Sequence, residues 1–253
     1  MNIIERLFLS IETYTAFNAN FYSILFNPFF ITRKQLFLAC QEFSKIVSTE
    51  DTLLDVGCGT KPYRKLFRCK KYVGIDVKGG GLRDKTKVVD KYFDGGRIPY
   101  KSNSFEVVIA TEVLEHALFP EKLFKEMTRV LKPKGKLFVS MPFVWPEHGV
   151  PYDFQRFTSF KHKLLLEKNN LQVISIKKTT GVFGTCGQLI SDFFYGLLAE
   201  KIFRLHVSYG IKFMIFRLFC FLFCFPVQLV FELLDMLNRR KGITLDFVII
   251  AQK

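Results

Sequence analysis

The sequence has little of what marks a metalloprotein. Its 253 residues include six cysteines and four histidines, and none of them stand at the spacing typical of zinc ligands. Cys220 and Cys224 lie one helical turn apart inside an apolar run, a setting that predicts small buried side chains. We therefore expect no bound metal, and this use of cysteine favours a reducing cytoplasm.

A secretory leader and internal repeats are also not evident. Residues 1–30 are partly apolar, but Glu5 and Glu12 interrupt them and no small-residue cleavage site follows. We expect a cytoplasmic protein.

The charge and the hydropathy are unusual in combination. The chain has a net charge of +14 and 30 phenylalanines, and its mean hydropathy is +0.17. Nucleic-acid-binding proteins are usually basic without a long apolar segment, so an anionic membrane surface is the favoured partner and no nucleic acid is expected. An ordinary basic enzyme rich in Phe and Lys is the alternative.

A glycine bend after a buried strand is the most informative local feature. An apolar strand ends in Asp55-Val-Gly57-Cys58-Gly59, and glycine is needed where a Cβ would block a ligand or the turn takes a positive φ. The next apolar strand ends in Asp76, at a distance where an acid typically binds ribose hydroxyls. The dinucleotide pattern G-x-G-x-x-G fails because Pro62 holds its sixth position. A tight turn without a ligand is the alternative.

Seven apolar segments predict an α/β fold. We expect a Rossmann-like sheet of seven strands, mostly parallel with an antiparallel last strand, and a helical insert between the last two strands. Thr32 is expected to cap a helix whose apolar positions run from Leu36 to Ile46. The predicted strands are Thr52–Val56, Tyr72–Asp76, Lys87–Val89, Phe105–Ala110, Lys136–Met141, Leu171–Lys178 and Leu245–Ala251.

Five segments in register over Thr52–Ser140 carry a family resemblance. They are the glycine bend, Asp94-Gly-Gly-Arg-Ile-Pro99 with Ser104-Phe105-Glu106, Thr111-Glu112-Val-Leu-Glu115-His116, a helix before Pro133-Lys-Gly135, and a fifth strand. In order, spacing and residue type they resemble the class I S-adenosylmethionine (SAM)-dependent methyltransferases of type 11.

This resemblance implies SAM as the cofactor and assigns residues to it. The methionine end would be held by Asp55, Gly57, Cys58 and Gly59. Asp76 would bind the ribose, Val77 would contact the adenine, and Asp94 would meet the adenine amine. Thr111 and Glu112 would lie near the transferred methyl group.

The loop after the fifth strand is the candidate acceptor site. Its pattern H-x-x-P-x-D-x-x-R-x-T, from His148 to Thr158, resembles a methyltransferase subgroup associated with bacterial surface-polysaccharide biosynthesis. His148 is the candidate general base, and Asp153 would orient it or Arg156. In the structural alternative Asp153 and Arg156 staple the loop and Thr158 caps a helix. His116 is a second candidate base, with a structural role or a place in the cofactor shell as its alternative.

The insert is the second distinctive feature. It contains the amphipathic stretch Gln188–Arg204, the nearly uniform apolar stretch Phe213–Phe231, and the basic residues Arg239-Arg240-Lys241. The uncharged part, Leu218–Phe231, would cover about 21 Å as a helix, less than the hydrocarbon core of about 30 Å, and Pro226 would bend it. We expect an anchor at the inner face of the cytoplasmic membrane; a buried cap or a dimer interface is the alternative.

The sequence thus predicts three segments and one function. The segments are an N-terminal helical segment (1–48), a SAM-binding domain (49–181 and 243–253) and a hydrophobic helical insert (182–242). The function is methyl transfer to an oxygen acceptor, a sugar hydroxyl of a glycan or of a lipid-linked glycan precursor. A lipid or quinone-like acceptor, and a membrane-associated SAM-binding protein without turnover, are the alternatives.

Overall fold

The computed structural model describes residues 21–79, 87–203, 207, 209–238 and 242–253. The predictions for residues 1–20 and for Arg239, Arg240 and Lys241 lie outside them. The main elements, in chain order, are α1 (Phe30–Ser44), β1 (Thr52–Val56), β2 (Lys71–Val77), β3 (Lys91–Phe93), β4 (Phe105–Thr111), α2 (Pro120–Val130), β5 (Leu131–Pro142), α3 (Ser159–Lys168), β6 (Gln172–Lys178), α4 (Val182–Phe203), α5 (Tyr209–Phe219), α6 (Phe225–Leu237) and β7 (Asp246–Gln252).

The seven strands form one sheet in the order β3-β2-β1-β4-β5-β7-β6. The first five strands pair in parallel, and β7 is antiparallel to both β5 and β6. The central strands are buried on both faces, which explains their nearly continuous apolar sequence. The predicted fold class is confirmed: a Rossmann-like, mostly parallel sheet with an antiparallel last strand and a helical insert before it.

The predicted third strand was wrong. Residues 87–90 form no strand because their groups bond elsewhere: Val88 N–H donates to the carbonyl of Gly59 at 2.7 Å, and Asp90 N–H donates to that of Gly74 at 2.9 Å. The strand β3 follows, at Lys91–Phe93.

Two other elements begin more than one residue away from the predicted position. Helix α1 begins at Phe30, two residues before the predicted cap Thr32, after a turn in which Asn27 Oδ1 accepts the N–H of Phe29 at 2.9 Å. Strand β5 begins at Leu131, which pairs with Phe105, and not at Lys136.

The chain divides into two compact units. One contains Ala39–Lys178 and Asp246–Lys253, and so holds the whole sheet; the other contains the described parts of Met1–Leu38 and Thr179–Leu245. The three segments drawn from the sequence stay a prediction.

In the helical unit, α5 and α6 form one long helix. A π-helical turn, Cys220–Cys224, joins them, and the N–H of Phe225 donates to the carbonyl of Cys220. Because Pro226 has no N–H to donate, the π turn immediately before it keeps the helix continuous. Gly210–Leu237 is 28 residues long and contains an 18-residue stretch with a mean hydropathy of 2.1, so by length and composition alone it could cross a membrane. The uncharged stretch Leu218–Phe231, used in the sequence analysis, therefore underestimated the length of the helix.

The long helix carries its polar groups inward and its apolar groups outward. Gln228 and Glu232 are buried on the same face as Cys220 and Cys224, at intervals of four residues. Gln228 donates to the carbonyl of Asn27 at 2.9 Å, and Glu232 pairs with Lys34. The exposed side chains are large and apolar: Ile211, Met214, Leu218, Phe221, Leu222, Phe223, Leu229, Val230, Leu233, Leu234, Met236 and Leu237.

In the sheet unit, His162 of α3 is buried between aromatic rings. Its ring centroid lies 5.6 Å from that of Phe157 and 5.7 Å from that of Phe247. Its Nε2 has no hydrogen-bond partner within the described residues. Burial lowers the pKa of His162 to about 4.

This histidine predicts an acid-sensitive core. Below pH 6.5 the unfolded chain protonates His162 while the folded chain does not, so stability falls until the pH reaches about 4. Between pH 7 and pH 5 this group should cost about 2 kcal/mol of unfolding free energy. Urea denaturation at both pH values should show that His162→Leu loses less stability than the wild type by this amount. Equal losses in the two proteins would refute the assignment.

Candidate active site

The glycine bend follows β1 with the backbone that the sequence predicts. Gly57 and Gly59 have φ values of +70° and +49°, and the N–H groups of Gly57 and Cys58 both donate to the carbonyl of Ile75. A Cβ on Gly57 would stand 2.5 Å from a methyl carbon of Val113. Position 57 of the bend therefore requires glycine, both for its positive φ and for the space that Val113 occupies.

Asp55 is buried directly before this bend. Its Oδ2 accepts a hydrogen bond of 2.6 Å from the hydroxyl of Tyr72. Burial raises the pKa of Asp55 to about 7, against the lowering effects of the Tyr72 hydrogen bond and of Lys61. A cationic group beside this carboxyl would favour its ionised form.

Asp76 closes β2 and is tied to the glycine bend. Its Oδ2 accepts the N–H of Gly59 at 2.8 Å, and its Oδ1 accepts the N–H of Val77 at 2.7 Å. The ammonium of Lys87 lies 3.1 Å from Oδ1. A carboxylate has about four lone-pair sites, so Asp76 keeps capacity for hydroxyl donors.

Asp94 stands exposed one residue after β3. Its Oδ1 accepts the N–H groups of Gly96 and Arg97, both at 2.9 Å, and these bonds lower its pKa. The loop that follows is fixed by Arg129 of α2, which donates to the carbonyls of Ile98 and Tyr100.

Thr111 ends β4, and Glu112 follows it in a strained conformation. Glu112 has a φ of +54°, unusual for a residue with a Cβ. Its Oε1 accepts the hydroxyl of Ser140 at 2.6 Å, and its N–H donates to the carbonyl of Ser140 at 3.2 Å. The neighbouring strand β5 therefore holds Glu112 in place.

Parallel pairing brings these predicted cofactor residues to one edge of the sheet. Val56 lies opposite Ile75 and Ala110, and Val77 lies opposite Phe93, so the carboxyl ends of β1 to β4 coincide. The residues there are Asp55, Gly57, Cys58, Gly59, Asp76, Val77, Asp94, Thr111 and Glu112. The sequence analysis missed Tyr72 and Lys87, because Tyr72 was taken only as a strand residue and Lys87 was placed in the wrong strand.

The loop after β5 is organised by an ion pair. Asp153 accepts two hydrogen bonds from Arg156, at 2.5 and 2.7 Å, and one from the N–H of His148 at 3.0 Å. The Arg156 bonds lower the pKa of Asp153 to about 2. Thr158 accepts the N–H of Lys161 at 3.3 Å and caps α3. The stapling and capping features of the structural alternative are thus present, and they hold His148 in position.

His148 faces a second histidine. The ring centroids of His116 and His148 lie 4.8 Å apart, edge to face. Nδ1 of His148 lies 3.2 Å from Asp153 Oδ2, and Nδ1 of His116 lies 2.5 Å from the carbonyl oxygen of Tyr152. Burial, with the nearby His116, lowers the pKa of His148. The imidazole is therefore neutral near pH 7 and has a free lone pair.

Glu115 lies beneath the histidines and was not singled out as a site residue from the sequence. Its side chain is 0% exposed, and neither carboxylate oxygen has a hydrogen-bond partner in the described part of the chain. Burial, reinforced by the charge of Glu112, raises the pKa of Glu115 well above its ordinary value. Glu112 thereby couples the cofactor residues to those of the loop.

The loop is fastened onto the 3-10 turn Leu114–His116. The side-chain amide of Gln155 donates to the backbone carbonyls of Leu114 and Ala117, at 2.8 and 2.7 Å. The backbone N–H of Phe154 donates to the carbonyl of Glu115 at 2.9 Å. Gly149, with a φ of +62°, passes over His116, where a Cβ would lie 3.1 Å from the ring. His116 and His148 are therefore held together by backbone contacts.

Comparison with known proteins agrees with this geometry. Residues 54–139 match the family model described as a methyltransferase domain. The chain is 32% identical over 110 residues to the methyltransferase GfsG of Streptomyces halstedii, covering 37% of this chain and 38% of that one. It is 33% identical over 106 residues to the human mitochondrial ubiquinone biosynthesis O-methyltransferase, covering 35% and 28%. The chain thus spans less than half the length of these curated relatives.

A solved structure extends the likeness to most of the fold. A putative sarcosine dimethylglycine methyltransferase from Galdieria sulphuraria aligns with a TM-score of 0.55 and 16% identity, over 88% of this chain and 85% of that one. At this identity the match concerns the fold. The match over residues 54–139, which is less than half of the chain, is to a methyltransferase domain, and the fold of the chain is similar to that of this structure.

Proposed function

We propose that the protein is a SAM-dependent methyltransferase that acts on an oxygen acceptor at a membrane surface. One observation carries the proposal: the matched domain holds Asp55, Asp76 and Glu112 at one sheet edge, around a bend whose Gly57 cannot accept a Cβ. Open α/β sheets bind ligands at this edge.

The cofactor assignment follows from the chemistry of these groups. Asp55, beside Gly57, Cys58 and Gly59, suits the charged methionine end. Asp76 suits the ribose hydroxyls, with Val77 and Asp94 on the adenine side. Thr111 and Glu112 stand where β4 ends, between these residues and the acceptor loop. SAM supplies an electrophilic methyl group, and the chain's task is to hold an acceptor oxygen in line with it.

The acceptor side is the loop with His148, Asp153 and Arg156. The acceptor hydroxyl must lose its proton during methyl transfer. A neutral His148, with its free lone pair, is suited to accept that proton as a general base. Nδ1 of His148 contacts the carbonyl of Pro146 and lies 3.2 Å from Asp153 Oδ2, which fixes the ring, while Arg156 fixes Asp153. His148 and Asp153 are thus oriented before an acceptor binds.

The proposed acceptor is a sugar hydroxyl of a glycan or of a lipid-linked glycan precursor. Two features support it: the loop motif resembles that of a polysaccharide-associated subgroup, and the helical unit suits a membrane surface. The long helix α5–α6 turns its apolar side chains outward, and its buried face holds Gln228 and Glu232. Such an inverted distribution is costly in water and favourable in lipid. We therefore propose a location at the inner face of the cytoplasmic membrane.

The ribose assignment predicts a specific loss of cofactor affinity. Asp76→Ala should weaken SAM binding at least tenfold in calorimetry, because a ribose hydroxyl loses a charged acceptor. Asp51→Ala, an acid at the opposite end of β1, is the matched control and should bind as the wild type does. Unchanged SAM affinity in a folded Asp76→Ala protein would rule out this role.

The acceptor loop predicts a loss of turnover without a loss of cofactor. His148→Ala should lower methyl transfer from labelled SAM into extracted membrane glycolipids by about 10²–10⁴-fold, with SAM affinity near wild type. The exposed neighbour Glu147→Ala should keep full activity. A fully active His148→Ala protein would remove His148 from the chemistry.

The inverted helix predicts attachment to lipid. The full chain should float with vesicles of anionic phospholipid, and Leu222→Asp with Val230→Asp should reduce the floating fraction severalfold, because each charge must leave water. Phe160→Asp, at an exposed apolar residue of the sheet unit, is the control and should float normally. A wild-type protein that is soluble without detergent and ignores such vesicles would contradict the proposal.

A further inference from the structure

Three side chains of the acceptor site converge in the manner of metal ligands. One carboxylate oxygen of Glu115 and one nitrogen each of His116 and His148 all lie within 4.8 Å of one another. A four-coordinate zinc site places its ligand atoms about 3.3 Å apart, given zinc-ligand distances of about 2.0 Å. Small rotations of these side chains would therefore close the site.

Glu115 provides an independent reason to expect a cation. Its carboxylate is completely buried, both oxygens lack hydrogen bonds within the described residues, and Oε1 points toward His116 Nε2 at 3.7 Å. That distance is too long for a hydrogen bond. Buried carboxylates are otherwise hydrogen-bonded, paired with a charge, or bound to a metal. A cation bound at the two histidines would therefore supply the missing partner of the Glu115 carboxylate.

Both histidines are oriented as metal-binding histidines usually are. Nδ1 of His116 is engaged by the carbonyl of Tyr152, and Nδ1 of His148 lies against Asp153. Metal-binding imidazoles typically donate their second N–H to a carbonyl or a carboxylate, which leaves the opposite nitrogen for the ion. The two Nε2 atoms are thus the available ligands, and the loop contacts that hold Tyr152 and Asp153 become supporting contacts of the site.

We propose that Glu115, His116 and His148 bind one divalent transition-metal ion, of which Zn²⁺ is the first choice. Two imidazoles and one carboxylate favour zinc, manganese or iron over Mg²⁺ and Ca²⁺, which prefer oxygen ligands. Three protein ligands leave an open position, as in catalytic zinc sites. The hydroxyl group of the acceptor would occupy that open position.

This inference rests on the proposed function. In it, the lone pair of His148 binds the metal ion instead of accepting the proton of the acceptor hydroxyl. An ion lowers the pKa of an oxygen bound to it, so the acceptor hydroxyl can release its proton to water near neutral pH. The oxygen then forms its bond to the methyl carbon, and the carbon–sulfur bond breaks with its electron pair going to sulfur. The products are a methyl ether, the neutral thioether of the cofactor and one proton.

The test measures metal binding directly on the full chain after chelator treatment. Calorimetry with Zn²⁺ should give one ion per chain, and Co²⁺ should give the visible absorption of a tetrahedral or five-coordinate site. Glu115→Gln, His116→Ala and His148→Ala should each weaken Zn²⁺ binding at least tenfold. His162→Leu and Cys186→Ser, at a histidine and an exposed thiol elsewhere, are the controls and should bind as the wild type does.

Thermal unfolding covers the possibility of misfolding. Zn²⁺ should raise the melting temperature of the wild type but not of Glu115→Gln, which is isosteric and cannot ionise to bind the ion. Absent Zn²⁺ binding and absent Co²⁺ absorption would overturn the inference, as would equal binding by the three ligand variants. SAM binding by the metal-free protein is measured alongside: if it persists while Zn²⁺ binding fails, the methyltransferase proposal stands and the metal site does not.

Discussion

The parallel pairing of β1 with β2 and β4 is the constraint on which the rest of the site depends. Parallel strands end at the same edge, so one register aligns Asp55, the glycine bend, Asp76 and Glu112 although they are far apart in sequence. The burial that keeps these strands paired also excludes water from Asp55 and raises its pKa to about 7. Stability of the sheet and readiness for a charged ligand thus have the same origin.

Two neighbouring acids of the acceptor site, Asp153 and Glu115, differ sharply in the polar groups that compensate their charge. Asp153 has the guanidinium of Arg156 and the N–H of His148, so it stays ionised with a pKa of about 2. Glu115, also near Arg156, receives no hydrogen bond to its carboxylate within the described residues. A buried acid without hydrogen bonds lowers the stability of the fold. Its presence beside a fully bonded acid therefore indicates a functional role. Arg156 organises the loop, and Glu115 offers two carboxyl oxygens without hydrogen bonds in the described chain to a group that binds between the histidines.

The sequence predicted the elements governed by local pattern and missed those decided by tertiary contacts. Apolar runs located six of the seven strands, the end of the second strand located Asp76, and the family resemblance located Asp94. The third strand was wrong because Lys87 and Val88 bond to Asp76 and Gly59, contacts that no local pattern reports. The grouping of His148 with Glu115 could not be read from spacing either, since 33 positions separate them and contacts made by Gln155 and Phe154 bring the loop back. Metal-ligand patterns in sequence detect near neighbours, and this cluster has only one adjacent pair.

Chain topology limits how the long helix can meet a membrane. By length, Gly210–Leu237 could cross a bilayer, but β7 follows it and pairs in the sheet between β5 and β6, which precede it. A single crossing would leave β7 on the opposite side from its partners, so a helix in lipid must return or lie along the surface. The inward polar face supports a shallow position: Gln228 and Glu232 are bonded to the chain's own Asn27 and Lys34. Because Gln228 and Glu232 each bond to protein groups, the apolar face is the one left to contact lipid in the proposed membrane-bound state, as in a monotopic anchor.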